Sequence, residues 1–464
     1  MTLKGYRLAA GAILAFVIAA AAVYLNIAYA LWLAALAAIS FVRPVAGISV
    51  LFFAISVDFA APMAGGIFVS YSELQLAVCL AASTFAFKDL NGVDWRPLKW
   101  GLPFLAAVLI SSMIQLPLYK VPFHLLRIAE LFVAATLSVN LLVRSHLISE
   151  NPPDLFKWSI AAAALFYSST GLFQFLFLKE SRIFSFFSNP NQFGGYLILL
   201  LPFCLVFFFA GAGRDRRVWG YLSFLTISAS LLTLSRSALL ATLISSALIL
   251  AIQWKRMTWR LAVTAVRDFL RTHLMLIALH AVIVAGAIAW MAFSPTTQML
   301  LADLRARNMG GILEAFKNSR WPYFVVGIEI WKDYLWTGVG PGRYQEVLVE
   351  YQDVIESFRG RITTFDYFVR WLPVHVHSLY LQLGVTFGIP GLAGFLCFVG
   401  SALAALLRRL RTSPWALAGT AMWIGFLIHN LLDVTFPSLA LEVGMLLGAS
   451  LAGCSSPEPP SETQ

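Results

Sequence analysis

Of 464 residues, 59% are hydrophobic and 12% charged, against roughly 45–50% and about 25% in soluble domains, and the mean hydropathy is +0.79. This composition excludes an ordinary soluble enzyme and points to a membrane protein. The formal charge of +10 carries no nucleic-acid signature and reads as anchoring to anionic lipid.

A membrane span takes about 20 apolar residues. Apolar runs are predicted at about 8–24, 27–42, 45–60, 72–87, 101–118, 123–143, 157–178, 193–211, 218–234, 237–253, 274–293, 378–407, 414–431 and 437–453. The first follows Met1-Thr2-Leu3-Lys4 without a small-residue cleavage site, so it is expected to be a span rather than a signal peptide. Threading the runs alternately from a cytoplasmic N-terminus places 19 of the 33 Lys and Arg residues on the inner side, as the positive-inside rule prefers. The expected fold is an all-α polytopic bundle of about 12–14 spans. It divides into transmembrane helices over 1–293, a large outer loop over 294–376, C-terminal spans over 377–453 and a disordered cytoplasmic tail over 454–464. In a bacterium the outer side is the periplasm, and the membrane the inner one. The loop from Phe293 to Val376 balances nine basic against nine acidic residues.

Cys79, Cys204, Cys397 and Cys454 are isolated and show no disulfide framework or zinc spacing. There is no Walker A loop, no dinucleotide-binding glycine fingerprint and no carboxylate cluster suited to magnesium. No cofactor is therefore expected. A phosphorylated substrate would have to be met by arginines, amides and helix N-termini.

The outer elements carry such groups. Arg182 precedes Ser188-Asn189-Pro190-Asn191, a helix-start signal ahead of the 193–211 run. Arg236, in Leu234-Ser235-Arg236-Ser237, falls at an outer turn where a cation needs an anion or a carbonyl cage. Arg320, in Ser319-Arg320-Trp321-Pro322, opens an amphipathic helix, and Gly338-Val339-Gly340-Pro341-Gly342-Arg343 follows. Val374-His375-Val376-His377-Ser378 stands where the large loop re-enters the bilayer, and an imidazole there can serve as a general base. Two histidines without carboxylate or thiolate company argue weakly for a metal, and none is expected. Within the spans, Arg127 and Glu130 are spaced to pair, while His429, Asn430 and Asp433 stand at an outer helix end where they can support an external site.

These residues resemble the O-antigen ligases, and the related O-antigen polymerases, of bacterial surface polysaccharide assembly. The family signature is His, then Asn, Ser or Gln, nine residues, Gly, two residues and Gly, Thr or Tyr. His377-Ser378, Leu379 to Phe387, then Gly388-Ile389-Pro390-Gly391 fit it without a gap. Arg182 ahead of Phe187-Ser188-Asn189-Pro190-Asn191, the Leu234–Leu240 segment and Ser319-Arg320 upstream of the glycine-rich turn follow the family's order. The resemblance covers roughly residues 170–450. It departs in span number, since the family looks like twelve helices and fourteen runs are marked here.

The resemblance implies a GT-C-like glycosyltransferase that moves a glycan from undecaprenyl pyrophosphate to a lipid A-core sugar hydroxyl at the periplasmic face, without metal. It implies His377 as the base and Arg182 and Arg320 as pyrophosphate ligands. Arg236, Asn189, Asn191 and Arg343 become further contacts to pyrophosphate or glycan, and His375 an acceptor-side contact. The rival readings are a polymerase that uses a second lipid-linked glycan as acceptor, a protein O-glycosylation ligase, and a transporter or flippase. The last should show internal repeats with broken helices, and no clear repeat is present.

Overall fold

The computed structural model describes residues 27–54, 60–63, 67–84, 92–144, 152–180, 182–256, 320–359 and 375–455, with isolated helical positions between 264 and 285. The run at 8–24, most of that at 274–293, the loop segments 294–319 and 360–374 and the end of the tail lie outside these residues. The described chain is helical. Its helices are α1 (Ile27–Val42), α2 (Pro44–Ala54), α3 (Tyr71–Thr84), α4 (Arg96–Gln115), α5 (Val121–Arg144), α6 (Pro152–Phe177), α7 (Pro190–Ala210), α8 (Gly213–Leu232) and α9 (Arg236–Arg256). The outer loop contributes α10 (Trp321–Asp333), α11 (Tyr344–Leu348) and α12 (Gln352–Glu356), and α13 (Leu379–Leu407), α14 (Pro414–His429) and α15 (Ala440–Ser455) complete the chain. One local exception to the all-helical expectation is an antiparallel ribbon of Ala60–Met63 and Ile67–Ser70. It follows the run expected at 45–60, whose described part α2 covers to Ala54.

Six described helices are long and apolar enough to cross a membrane: those of α4, α5, α6, α7, α9 and α13. The protein is thus a multi-pass membrane protein. Among the six, α7 is the most enclosed by other helices, as expected for a segment apolar all round. Phe104 of α4 centres the core, with the rings of Phe132, Phe387, Phe395 and Phe436 5.7–6.3 Å away. Helix α15 packs on α5 through Gly444 and Gly448, where an added Cβ would stand 2.3 Å from the Leu131 carbonyl oxygen and 2.5 Å from that of Ala135. Small residues four apart allow this close approach of helix backbones.

The outer loop has a core of its own, built from Val326, Ile330, Val339, Tyr344, Val347, Leu348, Ile355 and Phe358 with Val376 and Val385. What fastens this core to the bundle is a break in α13. Pro390 has no N–H to give the Thr386 carbonyl four residues back, and Gly388 turns to φ 69°. Each freed group finds a partner in the loop. The Val385 and Thr386 carbonyls accept from Val339 N at 2.8 Å and Gly340 N at 3.0 Å, and Ile389 N donates to the Leu335 carbonyl at 2.9 Å. Ser111 of α4 adds a hydroxyl donor to Thr386 O at 3.1 Å. The backbones approach so closely that a Cβ on Gly338 would lie 2.2 Å from Thr386 O, and one on Gly388 2.4 Å from Trp336 O.

Candidate active site

Four segments far apart in sequence meet at one end of the bundle. The first is the α6–α7 connection. Gln174 clamps it, its Oε1 accepting from Phe184 N and Ser185 N and its Nε2 donating to Ser185 O. Arg182 is aimed by two bonds: Nε donates to Thr233 O at 3.0 Å, and one Nη donates to Asn191 Oδ1 at 3.1 Å. Asn189 caps α7 by accepting from Gln192 N, so its side chain serves the helix start, while Asn191 orients Arg182. The second segment is the α8–α9 turn, where Leu234 is held at φ 51° and Ser235 Oγ accepts from Ala238 N. This leaves Arg236 exposed in the first turn of α9.

The third segment begins at Arg320, which precedes α10. The fourth is the His375–Ser378 turn, which Gln382 holds by accepting from Val376 N at 3.0 Å. The start of α13 is tied to α14, since Leu379 N donates to Asn430 O at 2.9 Å and Tyr380 Oη to Leu427 O at 3.0 Å. His377 takes φ 56°, a left-handed backbone that a non-glycine residue seldom adopts. Its ring lies 4.8 Å from that of Tyr323 and 4.5 Å from that of His375. All four non-glycine residues of positive φ among the described residues, Lys179, Ser185, Leu234 and His377, belong to these segments. Such strain concentrates at functional sites.

Asp433 joins the cluster from the α14–α15 connection. Its Oδ2 stands 4.0 Å from an Arg320 Nη, and its field is felt at Arg182, Arg320, His375 and His377. Arg236 in turn bears on both Arg182 and Arg320. Arg182 and Arg320 thus share one carboxylate, with the Arg236 guanidinium alongside. Burial pulls the Arg182 and Arg320 guanidiniums below the usual arginine range, with Asp433 opposing. Burial also holds His375 and His377 below the ordinary imidazole range; at His377 the His375 ring and Arg320 push the same way. Both imidazoles are therefore neutral near pH 7.

The cluster leaves hydrogen-bonding capacity unused. The second Nη of Arg320, Asp433 Oδ2, His377 Nδ1 and both ring nitrogens of His429 are buried without a partner. Native proteins rarely tolerate such groups unless a ligand, an ion or catalysis employs them. Arg343 is engaged elsewhere. Its guanidinium donates to Gln115 O and Oε1 at 3.1 and 2.9 Å and meets Glu346 at 3.3 Å, which joins the glycine-rich turn to α4.

A metal has to be weighed, because Asp433 supplies the carboxylate company that the His-x-His pair lacks in sequence. Donor atoms of His375, His377 and Asp433 lie within 4.8 Å of one another. That is loose for ligands that each approach zinc to about 2.0–2.2 Å. His375 Nδ1 already accepts from His377 N at 3.3 Å, and Arg320 places a fixed cation against the carboxylate. The set is better suited to acid–base chemistry beside an anion.

Residues 221–396 match the family model described as O-Antigen ligase. Over that segment the chain is similar to the O-antigen ligases. No curated protein matches it. The matched segment holds Arg236, Arg320, His375, His377 and the Gly388 kink. Arg182, Asn191, His429 and Asp433 lie outside it and reach the matched residues only by folding. Asp433 was legible as a support for an outer site but not as a member of one, because it stands 56 residues beyond His377. Gln174, Tyr323 and Gln382 carried no signal in sequence, since each acts through a contact that only the fold creates.

Proposed function

We propose that the protein is an O-antigen ligase of the bacterial inner membrane. It transfers a glycan from undecaprenyl pyrophosphate to a sugar hydroxyl of lipid A-core at the periplasmic face, with both termini cytoplasmic. The observation that carries this reading is the meeting of three guanidiniums with a neutral, partly unpartnered imidazole at one end of an apolar bundle. Arg182, Arg236 and Arg320 bind the pyrophosphate and stabilise the charge that develops as the anomeric C–O bond breaks. His377 takes the proton of the acceptor hydroxyl as its oxygen attacks the anomeric carbon. The proton ends on the imidazole, the electron pair of the broken bond on the pyrophosphate oxygen. Attack opposite the leaving group inverts the anomeric centre. His375 lines the acceptor side, Asn191 steadies Arg182, and the spans hold the polyprenyl tails. Neither ATP nor a metal takes part.

The test is transfer in vitro with purified protein, undecaprenyl-pyrophosphate-linked glycan and lipid A-core, read as a gel ladder. Glycan on lipid A-core, inverted at the linkage and lost in His377→Ala, is the expected result. Growth of the lipid-linked glycan alone would assign the polymerase reaction instead, and retained configuration would sink the direct displacement. No product of either kind would reopen the transporter reading.

A further inference from the structure

His429 closes α14 and is fully buried, with neither Nδ1 nor Nε2 in hydrogen-bond geometry with a partner. The transfer chemistry has no use for it, since it does not reach solvent. Yet the packing makes room for it. A Cβ at Gly195 of α7 would stand 3.1 Å from His429 Nε2 and 2.9 Å from Thr435 Cγ2, so an imidazole fits here because the facing residue has no side chain.

The neighbours of the ring give the place its meaning. The backbone of Asn191 and of Ser237 lies against it, and Asp433 and Arg320 act on it electrostatically. Asn191 accepts from Arg182 through its side chain. Ser237 follows Arg236 in the first turn of α9, and Asp433 faces Arg320 at 4.0 Å. The ring therefore stands behind all three guanidiniums, each of which it meets through an immediate support. Gly194, beside Gly195, would bring a Cβ within 2.7 Å of Ala238, so the first turns of α7 and α9 are already in contact next to the ring.

We infer that His429 is a positioning residue for the diphosphate pocket: its ring nitrogens engage the first turns of α7 and α9 and set the spacing at which Arg182 and Arg236 grip one diphosphate together with Arg320. The inference rests on the diphosphate reading proposed above. The ring lies between the two backbones, so a small displacement brings its nitrogens into hydrogen-bond geometry with either. A spacing function makes a specific demand. Losing the ring's polar atoms should weaken binding of a diphosphate, which needs all three arginines at one separation, more than binding of a monophosphate.

The test uses full-length protein in detergent and two lipid ligands, geranylgeranyl diphosphate and geranylgeranyl monophosphate, with affinities from calorimetric titration and thermal unfolding followed in parallel. His429→Phe, which keeps an aromatic ring but removes both nitrogens, is expected to lower diphosphate affinity about tenfold and leave monophosphate affinity and the unfolding midpoint near wild type. His429→Gln, which restores an amide where Nε2 stood, is expected to recover most of the loss. Gly195→Ala displaces the ring without changing it, and should reduce the diphosphate preference in the same direction if His429→Phe does not fold. Wild-type preference in these variants overturns the inference, as does an equal loss of both ligands accompanied by a lowered midpoint, which would make His429 core filling. If the wild type does not bind the diphosphate, or Arg182→Ala binds it normally, the diphosphate reading itself falls.

Discussion

At His377 two requirements meet that ordinarily conflict. In the proposed transfer the base must be unprotonated near neutral pH, and it must also work beside cations that would receive a phosphate leaving group. Burial, His375 and Arg320 all disfavour the imidazolium, so on this proposal Arg320, a leaving-group ligand, also keeps the base free. The expected outcome for His377→Ala is a loss of about 10²–10⁴ in kcat with an unchanged unfolding midpoint, measured by transfer assay and thermal melt. The pH profile follows from the sign of the shift. Because the folded pKa lies below the unfolded value of about 6.5, the acid limb of kcat/KM for the free enzyme falls below pH 6.5. The same linkage makes folding less favourable as pH drops below 6.5, since the unfolded chain then binds more protons. An acid limb at or above pH 7 would contradict this account. Arg320→Ala should cost about 10²–10³ in kcat/KM, the scale for removing one charge-stabilising donor, whereas Arg343→Ala should spare kcat and lower stability through its lost bonds to Gln115. His377, Arg182, Arg236 and Arg320 were legible in sequence because each sits in a short polar stretch between apolar runs. Asn189 was legible as a polar residue at a helix start, but its side chain caps the helix, which a list of candidate ligands cannot distinguish.

The elements show where a reading from hydropathy succeeds and where it stops. Boundaries at 27–42, 193–211 and 414–431 fall close to α1, α7 and α14, because long apolar stretches have few alternatives in a bilayer. The ribbon at 60–70 was missed, since strands of four residues produce no usable alternation. The apolar run at 378–407 reads as one span, and α13 has that length. What composition could not reveal is the break at Gly388 and the partner that makes the break tolerable. That seam gives the motif glycine a physical reason: at φ 69°, with Trp336 O 2.4 Å from the missing Cβ, no other residue fits without displacing backbone. Gly388→Ala is accordingly expected to destabilise the protein by at least about 1–3 kcal/mol, and Gly338→Ala by a similar amount, both read as lowered unfolding midpoints in detergent. A wild-type midpoint in either variant would mean that the seam yields easily.

For the whole molecule, the alternate threading predicted from charge requires the 179–192 loop, the 235–237 turn, the large loop and the end of the 414–431 run to share one side, and the structure brings their described residues to one end. In a protein freed of its natural cysteines, Ser188→Cys and Trp321→Cys should then react with a membrane-impermeant thiol reagent from the periplasm, and Arg409→Cys only after the membrane is opened. Labelling of Arg409→Cys from the periplasm would invert the proposed orientation. If the arginines and His377 act as proposed, transfer should proceed at an unchanged rate in EDTA.

The exchange of backbone partners across the α13 break also bears on how the chain is made. Val385 O and Thr386 O lie two turns inside a membrane-spanning helix and depend on the amides of Val339 and Gly340, which the ribosome delivers some 45 residues earlier. In hydrocarbon, an unsatisfied carbonyl costs several kcal/mol. The bent helix is therefore an unfavourable guest in the bilayer until the outer loop has folded and crossed over it, which couples insertion of α13 to folding of the loop that precedes it.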